Sequence, residues 1–547
     1  MWSRRRLLAA AAGAPLATLA GCSGRRDDYD GGWVGASHER GHRLRDLRRD
    51  TLPAPAVQRR AGVLVVGAGI AGLACARALA RAGIENVQLF ELEDEAGGNS
   101  RGHRMGGMAC PLGAHYLPLP GPPAVEVAEL LQELGLARVE HGRVVYDERH
   151  LCHSPQERLF IDGQWREGLL PPLDALPAGE RDATLAQYRA FAQKVARWSD
   201  GRAFTIPTAR STWGPEQAAL DRLTFADWLT REGLVAPALR WYLDYCCRDD
   251  YGAGSAEVSA WAGLHYFASR HGFRAPGEGN DEHDGLLTWP EGNAWLARRL
   301  AEPLRERLHT GMLALRVIEG KHAVEADFWN VAAQRIERWS APQAVLATPL
   351  FVSARLLDSP SSALTEAAQR LRYAPWQVAN LQLADALDDR PGAPPSWDNV
   401  LYGGASLGYV DAMHQGTLPY PTATVLTAYW SWGAQPAHRQ ALLQDSWRSQ
   451  AQRVVAELAP VHPDLPHKVR RIDLMRYGHA MSIPVPGVRS SAALQALAET
   501  TGRVHFAHSD LSAYSVFEEA YAHGVRAARA CRAAQGVSPA ELATRAS

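Results

Sequence analysis

A chain of 547 residues has room for two or three domains and a large core. Its 58 lysines and arginines balance 59 aspartates and glutamates, so no basic field points to nucleic acid and no acidic tail stands out. Past the N-terminus no run of 18 apolar residues occurs, which argues against a membrane-spanning body.

In chain order, Ser3-Arg4-Arg5-Arg6-Leu7-Leu8 fits the twin-arginine export pattern, and an Ala/Leu stretch follows to Leu19. Leu19-Ala20-Gly21-Cys22 resembles a lipobox, in which Cys22 is diacylated. Residues 1–22 are therefore expected to be a signal, and the mature protein to sit in the periplasm or on the cell surface, tethered by lipid on Cys22. Residues 23–60 are rich in Arg, Asp and Gly and end in Leu52-Pro53-Ala54-Pro55, without a clear period. They read as a tether, with 32–47 as a stretch that could dock on the domain surface.

Residues 63–66 form a short apolar run that reads as a buried parallel strand. Gly67-Ala68-Gly69-Ile70-Ala71-Gly72 follows, and residues 73–82 continue as an Ala/Leu/Arg helix. Gly67 suits the tight turn, Gly69 close approach of a pyrophosphate, and Gly72 close helix–strand packing. The amides of Ala68, Ile70 and Ala71 stand where a helix start offers N–H groups to phosphate. A second strand, residues 87–90, ends in Glu91-Leu92, about 20 residues beyond the last glycine, where a carboxylate accepts from a ribose hydroxyl. In that order the elements specify a dinucleotide.

Gly97-Gly98-Asn99-Ser100-Arg101 and Gly113-Ala114-His115-Tyr116 come next, and a nicotinamide site needs no second glycine pair there. Here the sequence resembles the flavin-containing amine oxidoreductase family, which includes monoamine, polyamine and L-amino-acid oxidases, with phytoene desaturases and protoporphyrinogen oxidase as relatives. The resemblance implies FAD bound tightly without a covalent link. Gly97, Gly98, Asn99 and Arg101 then return the chain past the pyrophosphate, and Gly113, Ala114, His115 and Tyr116 run beside the flavin ring. It also explains the export route, since twin-arginine export carries folded proteins and FAD is loaded before crossing.

The six cysteines beyond Cys22 form no C-x-x-C, and no His/Cys spacing suggests a metal. From about 150 to 285 long helical patterns appear, notably 185–198 and 225–247. Asp249 and Asp250 follow; they could bind a cationic substrate, although such pairs more often cap a helix or pair with arginine. Residues 287–296 resemble the family's proline-glycine turn, 313–318 the strand nearest the adenine (Leu315 or Val317), and 344–349 a buried strand ending in proline. Residues 378–383 and 423–430 read as strands. Near the C-terminus, residues 502–510 and 515–528 resemble the family's last FAD motif. Ser509 and Asp510 are expected on ribityl or pyrophosphate groups, and Val516, Phe517 and Glu518 at a helix N-terminus facing the flavin pyrimidine. Ser515 and Glu518 have capping-box spacing.

The implied fold is α/β: a Rossmann-like FAD-binding domain of the glutathione-reductase type with an inserted mixed α+β substrate domain. The expected boundaries are 61–150, 286–350 and 471–535 for the FAD domain, and 151–285 with 351–470 for the substrate domain. The implied chemistry is hydride transfer from a small molecule, an amine or amino acid being favoured, with oxygen or a quinone as final acceptor. Two departures stand against amine oxidation. None of the three lysines (Lys194, Lys321, Lys468) lies near residues 373–383, where the family usually keeps one, and Val516 occupies a position usually aromatic. His115, His479 and Tyr514 are the candidates for the vacant catalytic roles. A desaturase-like or quinone-linked dehydrogenase, and a flavin-binding envelope protein without turnover, are the alternatives.

Overall fold

The computed structural model describes residues 29–199, 202–278, 285–416 and 422–534. The export signal and Cys22 lie outside the described residues.

Two sheets position the site. The first is parallel and five-stranded, in the order Leu308–His309, Val87–Phe90, Val63–Val66, Gln343–Leu346, Val504–Phe506. Val63–Val66 is central, and all four residues are buried because both faces are covered. Val63 and Val65 pack with Leu73 and Leu79 of the helix Ile70–Arg81 and with Ala527 and Ala528 of the C-terminal helix Phe517–Ala534. Leu64 and Val66 face the other way, into a cluster with Phe90, Phe328 and Trp339. That second layer is a four-stranded sheet built from Met312–Glu319, Val324–Asn330, Arg335–Ala341 and Val57–Arg60.

The larger sheet has eight strands and two long central ones, Arg372–Leu383 and Val469–Ile483, running antiparallel. Val425–Ser431 pairs with the first of these, and Asp398–Leu401 lies further along. The strand Val469–Ile483 lies wholly within this sheet, so a domain boundary at residue 471 divides a single strand. Arg470, Arg471 and Asp473 interrupt its start, so no apolar run marks it.

The expected tether is corrected from Tyr29 onward. Asp30–Trp33 adds a parallel edge strand to Val469–Ile483, and His38–Asp46 is a helix capped by Ser37. Side chains hold this segment down: the Arg476 guanidinium lies 4.4 Å over the Trp33 ring, Ser37 N–H donates to Glu93 (3.0 Å), and Arg40 forks onto Asp94 (2.9 and 3.1 Å). The helical pattern over 225–247 is likewise two helices, Phe225–Arg231 and Pro237–Tyr251. Gly233, at φ +70°, ends the first and Pro237 opens the second.

Candidate active site

The glycine turn has two kinds of glycine. A Cβ at Gly72 would stand 1.8 Å from the Gly67 carbonyl oxygen, and one at Gly67 (φ +100°) 2.6 Å from that of Ala347. Both are fixed by the packing of the chain on itself. At Gly69 only the Gly98 Cα comes within 4 Å, at 3.9 Å, so a Cβ there would project into the open cradle. The second glycine pair is sewn onto the first turn by Gly97 N–H donating to Ala68 O (2.8 Å). No side chain caps the helix that starts at Ile70, which leaves its first-turn amides for an anion. Arg101, buried, is held by Nε on Gly98 O (3.1 Å). The Glu91 carboxylate accepts from Ala68 N–H (2.9 Å) and Glu93 N–H (3.0 Å), one bond per oxygen, and has acceptor capacity left. Leu92 is half-buried beside it. In the strand Met312–Glu319 a bulge puts Leu315 outside the ladder, whereas Val317 is paired with Ala326 and its carbonyl accepts from Asp358 N–H (3.0 Å).

From this cradle a cavity runs between residues 113–118 and the start of the C-terminal helix. Three strands of the eight-stranded sheet each fix one carbonyl of the passing chain. Asn380 donates to Pro111 O (3.0 Å), Tyr477 to Leu112 O (2.8 Å) and Tyr429 to Gly113 O (3.1 Å). On the opposite side Asn293 donates to Tyr116 O (2.9 Å), and its buried Oδ1 has no partner among the described residues. Trp376 Nε1 is in the same condition. An uncapped helix start, spare acceptors on Glu91, a cradle that a Cβ would fill and unpaired polar atoms lining the cavity fit a dinucleotide whose polar ring lies against residues 113–116.

Ser515, Val516, Phe517 and Glu518 line this cavity, but the capping box is not formed. Glu518 pairs instead with Arg270 (2.5 Å), an ion pair almost wholly buried, and Ser515 Oγ accepts from Ser482 N–H (3.0 Å). A buried guanidinium is a stronger attraction for the carboxylate than an amide within hydrogen-bond reach. Arg270 belongs to the π-turn Phe267–His271.

A second cavity of about 860 Å³ opens off the first. His115, Tyr116, Asp249, Arg270 and Tyr429 line both, and Trp397, Asp398 and Glu157 line the outer one. His115 stacks on Tyr429 (centroids 4.5 Å apart) and lies 5.5 Å from Trp397. Burial pushes its imidazole down to about 4, so it is neutral near pH 7. The carboxyls move the other way. Burial, and then the charge of Asp250, raise Asp249 to about 7 against the pull of the Tyr116 hydroxyl and Arg248. Burial and the neighbouring Asp249 and Glu157 raise Asp398 well above the usual range.

The other candidates fall elsewhere. His479 lines neither cavity; its ring lies 4.7 Å from Phe351. Tyr514 is buried behind the wall with its hydroxyl on Asp250 (2.5 Å), so it is no cage residue. Asp510 is fully buried and accepts from Leu350 N–H (2.9 Å) and Tyr373 Oη (2.6 Å), and Ser509 is buried beside it. Neither lines either cavity, and Asp510 Oδ1 is buried without a hydrogen-bond partner among the described residues. Tyr429, Trp397, Asp398 and Arg270 were not anticipated; none sits in a local motif, and the aromatic density of their strands was the only signal.

Fold and cradle together define a dinucleotide-binding oxidoreductase with a cavity running on from the cradle. Residues 70–532, most of the chain, match the family of flavin-containing amine oxidoreductases, and the chain belongs to it. It is a flavin-dependent oxidoreductase with FAD as cofactor. A 74-residue segment is 45% identical to a Mycobacterium tuberculosis protein assigned as a flavin-containing monoamine oxidase, AofH; the match spans 14% of this chain and 15% of that protein. Among solved structures, putrescine oxidase bound to putrescine is 16% identical with a TM-score of 0.61, over 86% of this chain and 99% of that one. Cyclohexylamine oxidase from Brevibacterium oxydans IH-35A is 18% identical with a TM-score of 0.60, over 87% and 98%. At such identities the likeness concerns the fold.

Proposed function

We propose that the protein oxidises a small amine that enters its cavity as a cation. One observation carries this: the two joined cavities are aromatic and acidic. Asp249, Asp250, Asp398, Glu157 and Glu518 line them, against Arg270, already paired with Glu518, and Arg274. Tyr116, Tyr429, Trp376 and Trp397 line the cavities too, and aromatic rings attract an ammonium group. The α-carboxylate of an amino acid would meet the same acids, so an amine without one fits better. The oxidase neighbours named for putrescine and cyclohexylamine support the same class.

FAD, when bound, supplies the hydride acceptor. The protein's part is placement: Asn380, Tyr477 and Tyr429 fix residues 111–113, and the aromatic wall keeps water from the reacting carbon. The family position usually held by lysine stays without one, and Trp376 and Tyr429 would supply the aromatic wall that the family usually places where this chain has Val516. Oxygen is the acceptor the family favours. The motif at 3–8 and Cys22 support export through the twin-arginine route and a lipid anchor, which loss of fatty-acid labelling in Cys22→Ala would test.

The deciding experiment is anaerobic mixing of the holoenzyme with amines and amino acids while flavin absorbance is followed. Amines are expected to bleach it, with peroxide formed on admission of air. Bleaching by amino acids alone would refute the assignment.

A further inference from the structure

Resting on the amine reading, we propose that Asp249 is the catalytic base that takes the proton from the substrate ammonium where the two cavities meet. An ammonium nitrogen has no lone pair to assist departure of hydride from the neighbouring carbon. A cation admitted through an acidic vestibule must therefore lose a proton inside, where water is scarce.

Asp249 lies in the last turn of the helix Pro237–Tyr251 and is the one carboxylate among the described residues that lines both cavities. The other acids of the inner cavity are turned away from the junction: Asp250 accepts from Tyr514, which lines neither cavity, and Glu518 holds Arg270, whereas the hydroxyl on Asp249 is that of Tyr116, which lines both. Asp398 and Glu157 face the outer cavity only. No lysine lines either one.

Proton affinity then separates the remaining groups. His115, the base that sequence suggested, is held near 4 and would return a proton at once. Tyr116 and Tyr429 are raised well above the usual phenol by burial, so their hydroxyls are already protonated and can only donate. Asp249, near 7, is ionised in half the molecules at neutral pH and holds a proton strongly enough to accept one. The groups acting on it are Asp250 and Arg248 from its own helix and Tyr116 across the cavity; Arg270, Tyr429, Cys246, Tyr245 and Tyr266 line the same cavity, and Asp398 on the eight-stranded sheet feels its charge. In the step an N–H bond of the alkylammonium breaks (R-CH2-NH3+ for putrescine, R2CH-NH3+ for cyclohexylamine) and an O–H bond forms on Asp249. The products are the neutral amine and the carboxylic acid, and no electrons change hands.

The test is anaerobic stopped-flow reduction of the holoenzyme flavin by cyclohexylamine and by putrescine from pH 5.5 to 10, in wild type, Asp249→Asn and Asp249→Glu. In the wild type the second-order rate constant of reduction, read at low amine concentration, should rise with pH, with a midpoint near 7. In Asp249→Asn that limb should vanish, with the rate at pH 7 down about 50-fold or more and recovering to within a few-fold near pH 10, where solution supplies free amine. Asp249→Glu should keep the limb. An Asp249→Asn profile identical to wild type, or one depressed equally at every pH, would overturn the assignment while leaving amine oxidation intact. No bleaching of the wild type by either amine would overturn both.

Discussion

Gly69→Ala and Gly72→Ala, a pair of minimal substitutions three residues apart, should fail in different ways. The added Cβ at residue 72 would lie 1.8 Å from the Gly67 carbonyl oxygen, far inside contact distance, and only main-chain movement relieves it. Overpacking of that kind costs about 3 kcal/mol or more, and it falls on the helix Ile70–Arg81, which backs the central strand. At residue 69 the added Cβ finds only the Gly98 Cα, at 3.9 Å. Exchange of glycine for alanine at that N-cap costs at most about 1 kcal/mol. Gly69→Ala should therefore fold, melt within a few degrees of wild-type apoprotein, and lose affinity for FAD by about tenfold or more, because the methyl group enters the cradle. Gly72→Ala should lower the melting temperature of apoprotein and holoprotein alike. Thermal melts with and without FAD, together with the ratio of flavin to protein absorbance after dialysis, separate the two. Gly69→Ala that retains a full complement of flavin at wild-type affinity would refute the placement of the cofactor.

Other substitutions probe the walls. Glu518→Gln leaves a buried guanidinium without its partner and should cost about 3 kcal/mol in denaturant titrations. Tyr429→Phe frees the Gly113 carbonyl, which is worth about 1 kcal/mol of stability and a several-fold faster release of flavin. Asp249→Asn has a pH signature in stability as well. Its carboxyl binds a proton more tightly when folded, so the wild type loses stability as pH rises from about 4 through 7; the variant should match it in acid and exceed it above pH 7, by up to about 4 kcal/mol, as read from melts across pH. Deletion of residues 30–47 removes the Trp33–Arg476 and Arg40–Asp94 contacts and should lower the melting temperature, whereas a free tether would leave it unchanged.

The cofactor cradle was legible because most of its demands are local: the turn needs a positive φ at Gly67 (+100°), Gly72 lies against the Gly67 carbonyl of the same strand–turn–helix, and Glu91 follows at a fixed distance. The substrate wall was not. Tyr429, Trp397 and His115 meet from separate strands and loops, and no periodicity within one element signals that. Ser515 and Glu518 show the limit of a local rule: the spacing was right, but Arg270, 248 residues away, took the carboxylate. For the N-terminal segment the sequence offered docking of residues 32–47 without saying where, since Trp33 finds Arg476 at the far end of the chain. Asp249 was noticed as one of an acidic pair, yet only the structure separates it from Asp250, which is turned to Tyr514.

Residues 111–116 join the two halves of the site. Three strands of the eight-stranded sheet hold the carbonyls of residues 111–113, and Asn99 and Asn293 grip residues 114–116 from the cofactor side through Asn99 O, Asn293 N–H and the Asn293 amide. A shift of the substrate wall is therefore a shift of the surface on which the cofactor rests. The electrostatics are coupled in the same way. Asp249 holds its proton more tightly because it is buried beside Asp250, and Asp398 because it is buried beside Asp249 and Glu157. An arriving ammonium relieves that repulsion and lowers the proton affinity of both. A cation is thereby exchanged for a proton as it enters, and ionised Asp249 is produced by the arrival of the group whose proton it is to take. Such coupling predicts that amine binding releases protons to the buffer at pH 7, fewer in Asp249→Asn, a difference that calorimetry in buffers of unequal ionisation enthalpy measures without any turnover.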